Sequence, residues 1–366
     1  DFEDLLDPII QPLLTSFTDS VAAFDPAAAV DLTSWTDSLL SSLNSIDVAL
    51  PAAAEPAASA ASSAEPAAAL STVSIPITTM EDTEQTVGAT VGGASTTLLV
   101  DTGSSGLVIP DTDLDGGSTN FFTELEALSS LGSPTGGLGE GGYSGGVDYL
   151  YLTYNDVPVT YISTTGAEVT TTSPVEVEVY SWEPSNLFSY FTNNAFQTFD
   201  TDNDVTGLLG IGSTGTGGAG ESPIEAAGYQ GVTVDVPSHV LTLDGTPNTT
   251  GIPLTATGST VSGLTETVKN GSTVVGSGPI SDDLDSGGVY GTIPSSVYNG
   301  TVPQGDTITV SDNGTTLYSY TVGTDSDGTN EAPTVTSGTG IDSGVIPFEQ
   351  YPISIDYNNG DLYLDK

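Results

Sequence analysis

Cysteine and arginine are absent from this 366-residue sequence, histidine and methionine occur once each, and lysine occurs twice, at Lys269 and Lys366. Each shortage closes a class of function. Without cysteine there is no disulfide, no thiolate metal site and no thiol nucleophile. With two cations in the whole chain, phosphate cannot be held by counterion release, which argues against nucleic acid as a partner. The same field opposes docking on anionic lipid. No apolar run reaches the roughly 18 residues of a membrane span. What is plentiful is acid: 48 Asp and Glu give a net charge of −46. That charge favours solubility and costs least at acidic pH, where carboxylates take up protons. The chain opens at Asp1 with neither Met nor a charged leader region and reads as processed or trimmed.

The texture changes along the chain. In residues 1–50, Phe2, Leu5, Leu6, Ile9, Ile10, Leu13, Leu14, Phe17 and Val21 recur at helical spacing, and Leu32, Trp35, Leu39, Leu43 and Ile46 form a second stripe. Two amphipathic helices are expected there. Residues 51–70, PAAAEPAASAASSAEPAAAL, are low in complexity and read as a linker with too little apolar surface to offset ordering entropy. From about residue 71 the sequence is rich in Thr, Val, Gly and Tyr. Asn-Gly pairs at 270–271, 299–300, 313–314 and 359–360, and Asp-Gly at 244–245, predict hairpins in an all-β body.

Two stretches of that body are alike. DTGSSGLVIP begins at Asp101 and DSGGVYGTIP at Asp285. Each has an acid first, a hydroxyl residue second (Thr102, Ser286), glycine third (Gly103, Gly287) and Ile-Pro ninth and tenth. An apolar run, Leu98-Leu99-Val100, aims the first acid into an environment where an isolated charge is costly. Two related lobes facing each other would bring the acids together. Two carboxyls in contact cannot both ionise easily and share a proton. Such a pair can deprotonate a water while protonating a carbonyl oxygen, which hydrolyses a peptide with no metal or side-chain nucleophile. The third-position glycines let backbone N–H groups approach the carboxylates, and the hydroxyl residues can bond across the lobes.

These segments carry a resemblance. LLVDTGSSGLVIP resembles the first active-site segment of pepsin-like aspartic proteases, and LDSGGVYGTIP resembles the second. YSGGVDYLYLTYNDVPV (143–159) resembles their flap hairpin, with Tyr143 at the flap tyrosine. TGLLGIG (206–212) resembles the segment beneath the first catalytic loop, and GVIPFEQYPISIDYNNGDLYL the closing strands. Residues 1–70 and the cysteine-free body resemble the linker and protease portions of mycobacterial PE-family proteins, which are exported by type VII secretion to the cell surface or medium. The resemblance implies an all-β, bilobal fold with the active site between the lobes, preceded by the helical segment. It implies an N-terminal β lobe over 71–230 and a reduced C-terminal β lobe over 231–366. The implied activity is that of an aspartic endopeptidase, with Asp101 and Asp285 catalytic and Thr102, Gly103, Ser104, Ser286 and Gly287 supporting them. Tyr143, Ser144, Gly145 and Tyr290 would contact substrate, a polypeptide bound extended in the cleft of a monomer. Neither metal nor cofactor is required, and exported or surface proteins, this one included, are candidate substrates. The sequence departs from the family at Val108, where Trp is common, and at Gly288, where Thr or Ser is usual. It also departs before Gly344, where Asp342 and Ser343 replace two apolar residues.

Other readings compete. GYSGG (142–146) matches a serine-hydrolase elbow at Ser144, with His239 as the sole candidate base, but strands rather than a helix are expected after it. Asp111, Asp113, Asp115 and Gly116 match the start of a calcium loop, yet Phe122 stands where a bidentate Glu is required. DTDND (200–204) fails the same way at Ile211. A non-catalytic surface interaction domain is the remaining alternative; it would not need both acids and both glycines.

Overall fold

Runs rich in valine, isoleucine and threonine, which pack well on a pleated surface, form strands throughout. The computed structural model describes residues 70–366 apart from 81–82, 115–127, 129–130, 136–138, 144–145, 184–194, 214–215, 217, 219 and 325–329. The helices expected over 1–50, and the linker up to residue 69, lie outside the described residues.

The first half contributes β1 (Val73–Pro76), β2 (Thr78–Met80), β3 (Glu84–Val91), β4 (Ala94–Asp101) and β5 (Ser105–Pro110). These are followed by β6 (Gly139–Tyr143), β7 (Val147–Ile162), β8 (Glu168–Trp182) and β9 (Leu208–Ile211). Strands β2 to β9 build one eight-stranded sheet in the order β2-β3-β4-β9-β5-β8-β7-β6, and a further pairing of β3 with β7 curls it back on itself. Every residue of β5, SGLVIP, is buried, as expected of a strand covered on both faces.

The second half begins with β10 (Gly231–Asp235), β11 (Val240–Asp244), β12 (Ile252–Leu254), β13 (Ala256–Thr257), β14 (Thr260–Asn270) and β15 (Thr273–Asp283). Then come β16 (Thr292–Pro294), β17 (Thr307–Asp312), β18 (Thr315–Thr321), β19 (Thr334–Thr336) and β20 (Gly340–Asp342). The last strands are β21 (Ile353–Asp356) and β22 (Leu362–Leu364). A smaller sheet runs β18-β17-β14-β15-β20, with β13 on β14 and a separate parallel pair β16-β19. Asn270-Gly271 turns β14 into β15, and Asn313-Gly314 turns β17 into β18. At the second turn Asn313 and Gly314 have φ of 47° and 84°, the two positive values of a type I′ hairpin.

A third sheet, β1-β11-β10-β21-β22-β12, joins the two halves. Its edge strand β1 precedes the first lobe in sequence but pairs with β11 from beyond residue 231. Tyr357, just after β21, donates its hydroxyl to the Ile211 carbonyl at the end of β9 at 2.8 Å, tying this sheet to the first lobe. One apolar cluster runs through all three sheets, from Ile75 to Leu364.

The two halves repeat one local arrangement. In the first, β4 lies parallel to β9 with Leu99 opposite Leu208 and Asp101 opposite Gly210. In the second, β15 lies parallel to β20 with Asp283 opposite Asp342, two residues before Asp285 and Gly344. The repeat places Asp101 at the end of β4 and Asp285 two residues beyond the end of β15, both interior strands of their sheets.

With cations nearly absent, several buried carboxyls are favoured in the neutral form by burial instead of being paired. Burial pushes Asp200 up to about 9, Glu266 to about 8 and Glu176 to about 7. Glu178 and Asp282, both fully buried, are also held well above the carboxylate range, chiefly by desolvation. Tyr318 donates to Asp282 Oδ2 at 2.7 Å. A raised carboxyl means that the folded state binds protons which the unfolded state releases. Its stabilisation is complete below the unfolded value of about 4 and is lost as pH rises through the folded value. Stability should therefore fall between about pH 4 and about pH 9. Thermal melts are expected to show a midpoint roughly 5 °C or more higher at pH 5 than at pH 8; a midpoint that rises over this range would contradict the assignment.

Candidate active site

The first motif loop grows out of β4, whose Leu98, Leu99 and Val100 are all buried, and the chain re-enters sheet at Ser105. The second leaves β15 through buried Leu284. The two loops meet across the lobes. A Cβ on Gly103 would lie 2.5 Å from Asp285 Cγ, and one on Gly287 would lie 3.0 Å from Asp101 Cγ. Each glycine thus leaves room for the opposite lobe's acid, beyond the backbone approach expected from sequence.

The second-position hydroxyls lock the loops together. Thr102 N–H donates to Ser286 Oγ at 3.1 Å, and Ser286 N–H donates to Thr102 Oγ1 at 2.9 Å. Each hydroxyl then donates onward to a carbonyl of the other lobe. Thr102 Oγ1 reaches Leu284 O at 2.6 Å and Ser286 Oγ reaches Val100 O at 2.7 Å. Both side chains are buried, and every hydrogen in this lattice has an acceptor.

The acids sit above the lattice, and their surroundings differ. Asp101 is buried and accepts from Gly103 N–H at 2.7 Å, from Ser104 N–H at 3.2 Å and from the Ser104 hydroxyl. Asp285 accepts from Gly287 N–H at 2.8 Å and is hydrogen-bonded to Asp101. Its carboxyl is held well above the usual range, first by burial and then by the neighbouring Asp101. Its own N–H donates to Ser343 Oγ at 3.3 Å. Gly288, at the place corresponding to Ser104, supplies no hydroxyl.

Tyr143 ends β6, at the edge of the eight-stranded sheet and at the tip of the hairpin with β7, where it pairs with Val147. Ser144 and Gly145 lie outside the described residues. The tyrosine is half-buried and lies close enough to Asp101 to feel its charge. Its ring stacks on Tyr149 at 5.5 Å and on Phe199 at 6.4 Å and meets Phe196 edge-on at 6.3 Å. It also exchanges a hydrogen bond with Tyr149. Val108 lies in the apolar cluster beneath, with Leu99 and Leu208. Tyr290, five residues beyond Asp285, is half-buried and packs on the main core.

Sequence reasoning did not single out Tyr149, Phe196 or Phe199. Tyr149 was within reach, because strand alternation puts it on the face of Tyr151 and Val147. The phenylalanines arrive from the helix Ala195–Asp202, which no local signal ties to the hairpin. Of the competing constellations only parts fall among the described residues. His239 occupies the turn between β10 and β11 in the joining sheet, with φ of 56°. Asp111 and Asp113 lie in the one-turn helix Asp111–Leu114, while Asp115, Gly116 and Phe122 lie outside the described residues. Among the described residues no group of three or more His, Asp and Glu is disposed to hold a metal.

Comparison with known proteins follows the same line. The family model described as the PE-PGRS C-terminal aspartyl peptidase-like domain matches residues 73–362. A protein named PE cleavage protein A from Mycobacterium tuberculosis is 33% identical over 302 residues, covering 78% of this chain and 50% of the relative. Its namesake from Mycobacterium marinum is 33% identical over 298 residues, again 78% of this chain and 50% of the relative. The chain thus spans about half the length of these relatives. Among solved structures, the aspartic proteinase from Irpex lacteus superposes with a TM-score of 0.53 at 16% identity, covering 81% of this chain and 97% of that one. That likeness shows the bilobal all-β fold.

The inter-lobe lattice generates a stability prediction. Ser286→Ala removes the donor to Val100 O and leaves the buried Thr102 N–H without its acceptor, at a cost of about 2–4 kcal/mol. Ser286→Thr should cost less, because the hydroxyl is kept. Chemical denaturation of the three proteins measures this, and an unchanged midpoint in Ser286→Ala would show that the lattice does not hold the lobes.

Proposed function

The chain belongs to the PE-PGRS C-terminal aspartyl peptidase-like family, and on that premise we propose that it is an aspartic endopeptidase in which Asp101 and Asp285 activate the hydrolytic water. The observation that carries this reading is the reciprocal fit of the two loops: each motif glycine makes room for the other lobe's acid, and the acids are hydrogen-bonded to each other.

The unequal surroundings suggest how the proton is shared. Three donors converge on Asp101, as suits an ionised carboxylate, whereas burial and Asp101 favour the protonated form of Asp285. In the proposed reaction Asp101 takes a proton from water as its oxygen bonds to the scissile carbonyl carbon. Asp285 gives its proton to the carbonyl oxygen, which yields a neutral gem-diol. As the C–N bond breaks, Asp101 passes its proton to the departing nitrogen and Asp285 recovers one from a diol hydroxyl, leaving an amine, a carboxylic acid and the original protonation state. Peptide would lie extended between the lobes, with main-chain bonds to the free edge of β6 and Tyr143 closing over it.

Under this reading residues 71–230 and 231–366 act as the two lobes of one monomeric enzyme, and 51–70 is a tether open to cleavage. The relatives' name, PE cleavage protein A, makes PE-family polypeptides the first substrate class to try. Export to the cell envelope or medium fits both that family and an acid-tolerant chain. No described helix is long and apolar enough to cross a membrane.

Asp101→Asn and Asp285→Asn should each lower kcat/KM by at least about a thousandfold without unfolding the protein. Tyr143→Ala should cost about ten- to a hundredfold, because it orients rather than reacts. Acid incubation of the full chain, followed by mass spectrometry, is expected to show trimming in 51–70 that an Asp101→Asn chain lacks. Equal trimming of both would assign the cut to another protease, and undiminished peptide hydrolysis by Asp101→Asn would overturn the reading.

A further inference from the structure

The two halves of the centre differ both beside and behind their acids. Beside Asp101 the chain places Ser104, whose hydroxyl donates to Asp101 Oδ2, and behind it the paired leucines Leu99 and Leu208. Beside Asp285 it places Gly288, and behind it the paired acids Asp283 and Asp342. Asp342 is firmly held: its N–H donates to Thr292 Oγ1 at 2.9 Å, and its Oδ1 accepts from Gly344 N–H at 2.8 Å. A Cβ on Gly288 would lie 2.8 Å from Asp342 Oδ1 and 3.2 Å from Oδ2. The carboxyl of Asp342 therefore fills the space that a side chain at 288 would enter.

Resting on the reading of Asp101 and Asp285 as a peptidase pair, we propose that Asp342 is a positioning residue of the centre: a third carboxyl that acts through Asp285, in the room that Gly288 leaves, to keep the pair singly protonated to higher pH.

The electrostatics have one sign. The charged groups that reach Asp342 are Asp283 on β15 and Asp101 in the first lobe, and Asp342 in turn acts on Asp285 and on buried Asp282. Neither lysine faces it: Lys269 stands near the far hairpin end of β14, and Lys366 binds the Thr316 carbonyl and lies over the Tyr351 ring. Burial raises Asp342 first, and Asp283 and Asp101 raise it further, against the opposing bond from Gly344. Once ionised, Asp342 makes loss of the proton from Asp285 harder. A neutral residue at 342 would not. The same crowding explains why a hydroxyl residue is missing at 288. The N-terminal half fixes its acid with a hydroxyl, and the C-terminal half surrounds its acid with other acids.

Asp342→Asn tests this, because Asn keeps the volume and the acceptor for Gly344 N–H but removes the charge. The alkaline limb of the kcat/KM–pH profile should move down by about one pH unit, an approximately tenfold loss on that limb whatever the height of the plateau. Asp342→Glu should return the limb toward its original place. Gly288→Ser should be far more damaging alone than in combination with Asp342→Ala, a non-additivity that direct contact requires. Carboxyl-carbon NMR of aspartate-labelled protein supplies a readout independent of turnover: the higher titration step of the pair should fall by about one unit in Asp342→Asn. An unmoved limb in an active enzyme, or an unmoved titration step, overturns the role of Asp342. A parent chain with no peptidase activity overturns the peptidase reading instead, and the NMR step still decides whether Asp342 acts on Asp285.

Discussion

The reciprocal hydrogen bonds between Thr102 and Ser286 are the constraint from which the rest of the centre follows. Each residue donates its backbone N–H to the other's hydroxyl, and each hydroxyl spends its hydrogen on a carbonyl of the opposite strand. That closed set of four bonds fixes how far apart the two lobes stand. At that separation a side chain at 103 would collide with the Asp285 carboxyl and one at 287 would crowd that of Asp101, and the two acids are brought close together away from bulk water. Shared protonation is then the way in which two acids can coexist there. The apolar strand that aims an acid inward is the means of delivering that acid to the contact.

A protein with two lysines and no arginine cannot stabilise buried acids by pairing them. It favours the protonated form of several of them instead. Glu178, Asp200, Glu266 and Asp282 are spread through both lobes, so acid tolerance belongs to the whole fold as well as to the centre. The same physics operates at Asp283, Asp285 and Asp342, each raised first by burial. The proposed centre, which would work with one proton shared between acids, is thus embedded in a body whose own buried acids favour the conditions that supply that proton.

Local chemistry was the legible part of the sequence. Paired motifs identified the acids, glycines and hydroxyl residues, and Asn270-Gly271 and Asn313-Gly314 marked true hairpins. Asn359-Gly360 likewise lies between the paired strands β21 and β22. Asn299-Gly300 and Asp244-Gly245 do not join paired strands; at Gly245 the Leu70 carbonyl comes so close that no side chain fits. What escaped were contacts set by topology. The pairing of β1 with β11, and of β4 with β9, depends on residues far away in sequence and leaves no periodic trace. Phe196 and Phe199 reach Tyr143 from a helix whose docking is a tertiary fact. Asp342 was visible as a departure from family pattern, but its meaning required seeing that Gly288 opens onto it.

The joining sheet has a consequence for time. Its order, β1-β11-β10-β21-β22-β12, interleaves the first described strand with the last, and the Thr102–Ser286 bonds close a loop of 184 residues. Contacts of such range are slow to form, because loop-closure entropy is lost before they reward it. As the chain is synthesised, β1 has no partner until β11 has been made, and the Asp101 loop lacks its cross-lobe partner until the Asp285 loop has been made. The two motif loops therefore cannot lock until the second has been made, and the proposed peptidase would be silent in any chain that stops short of Ser286.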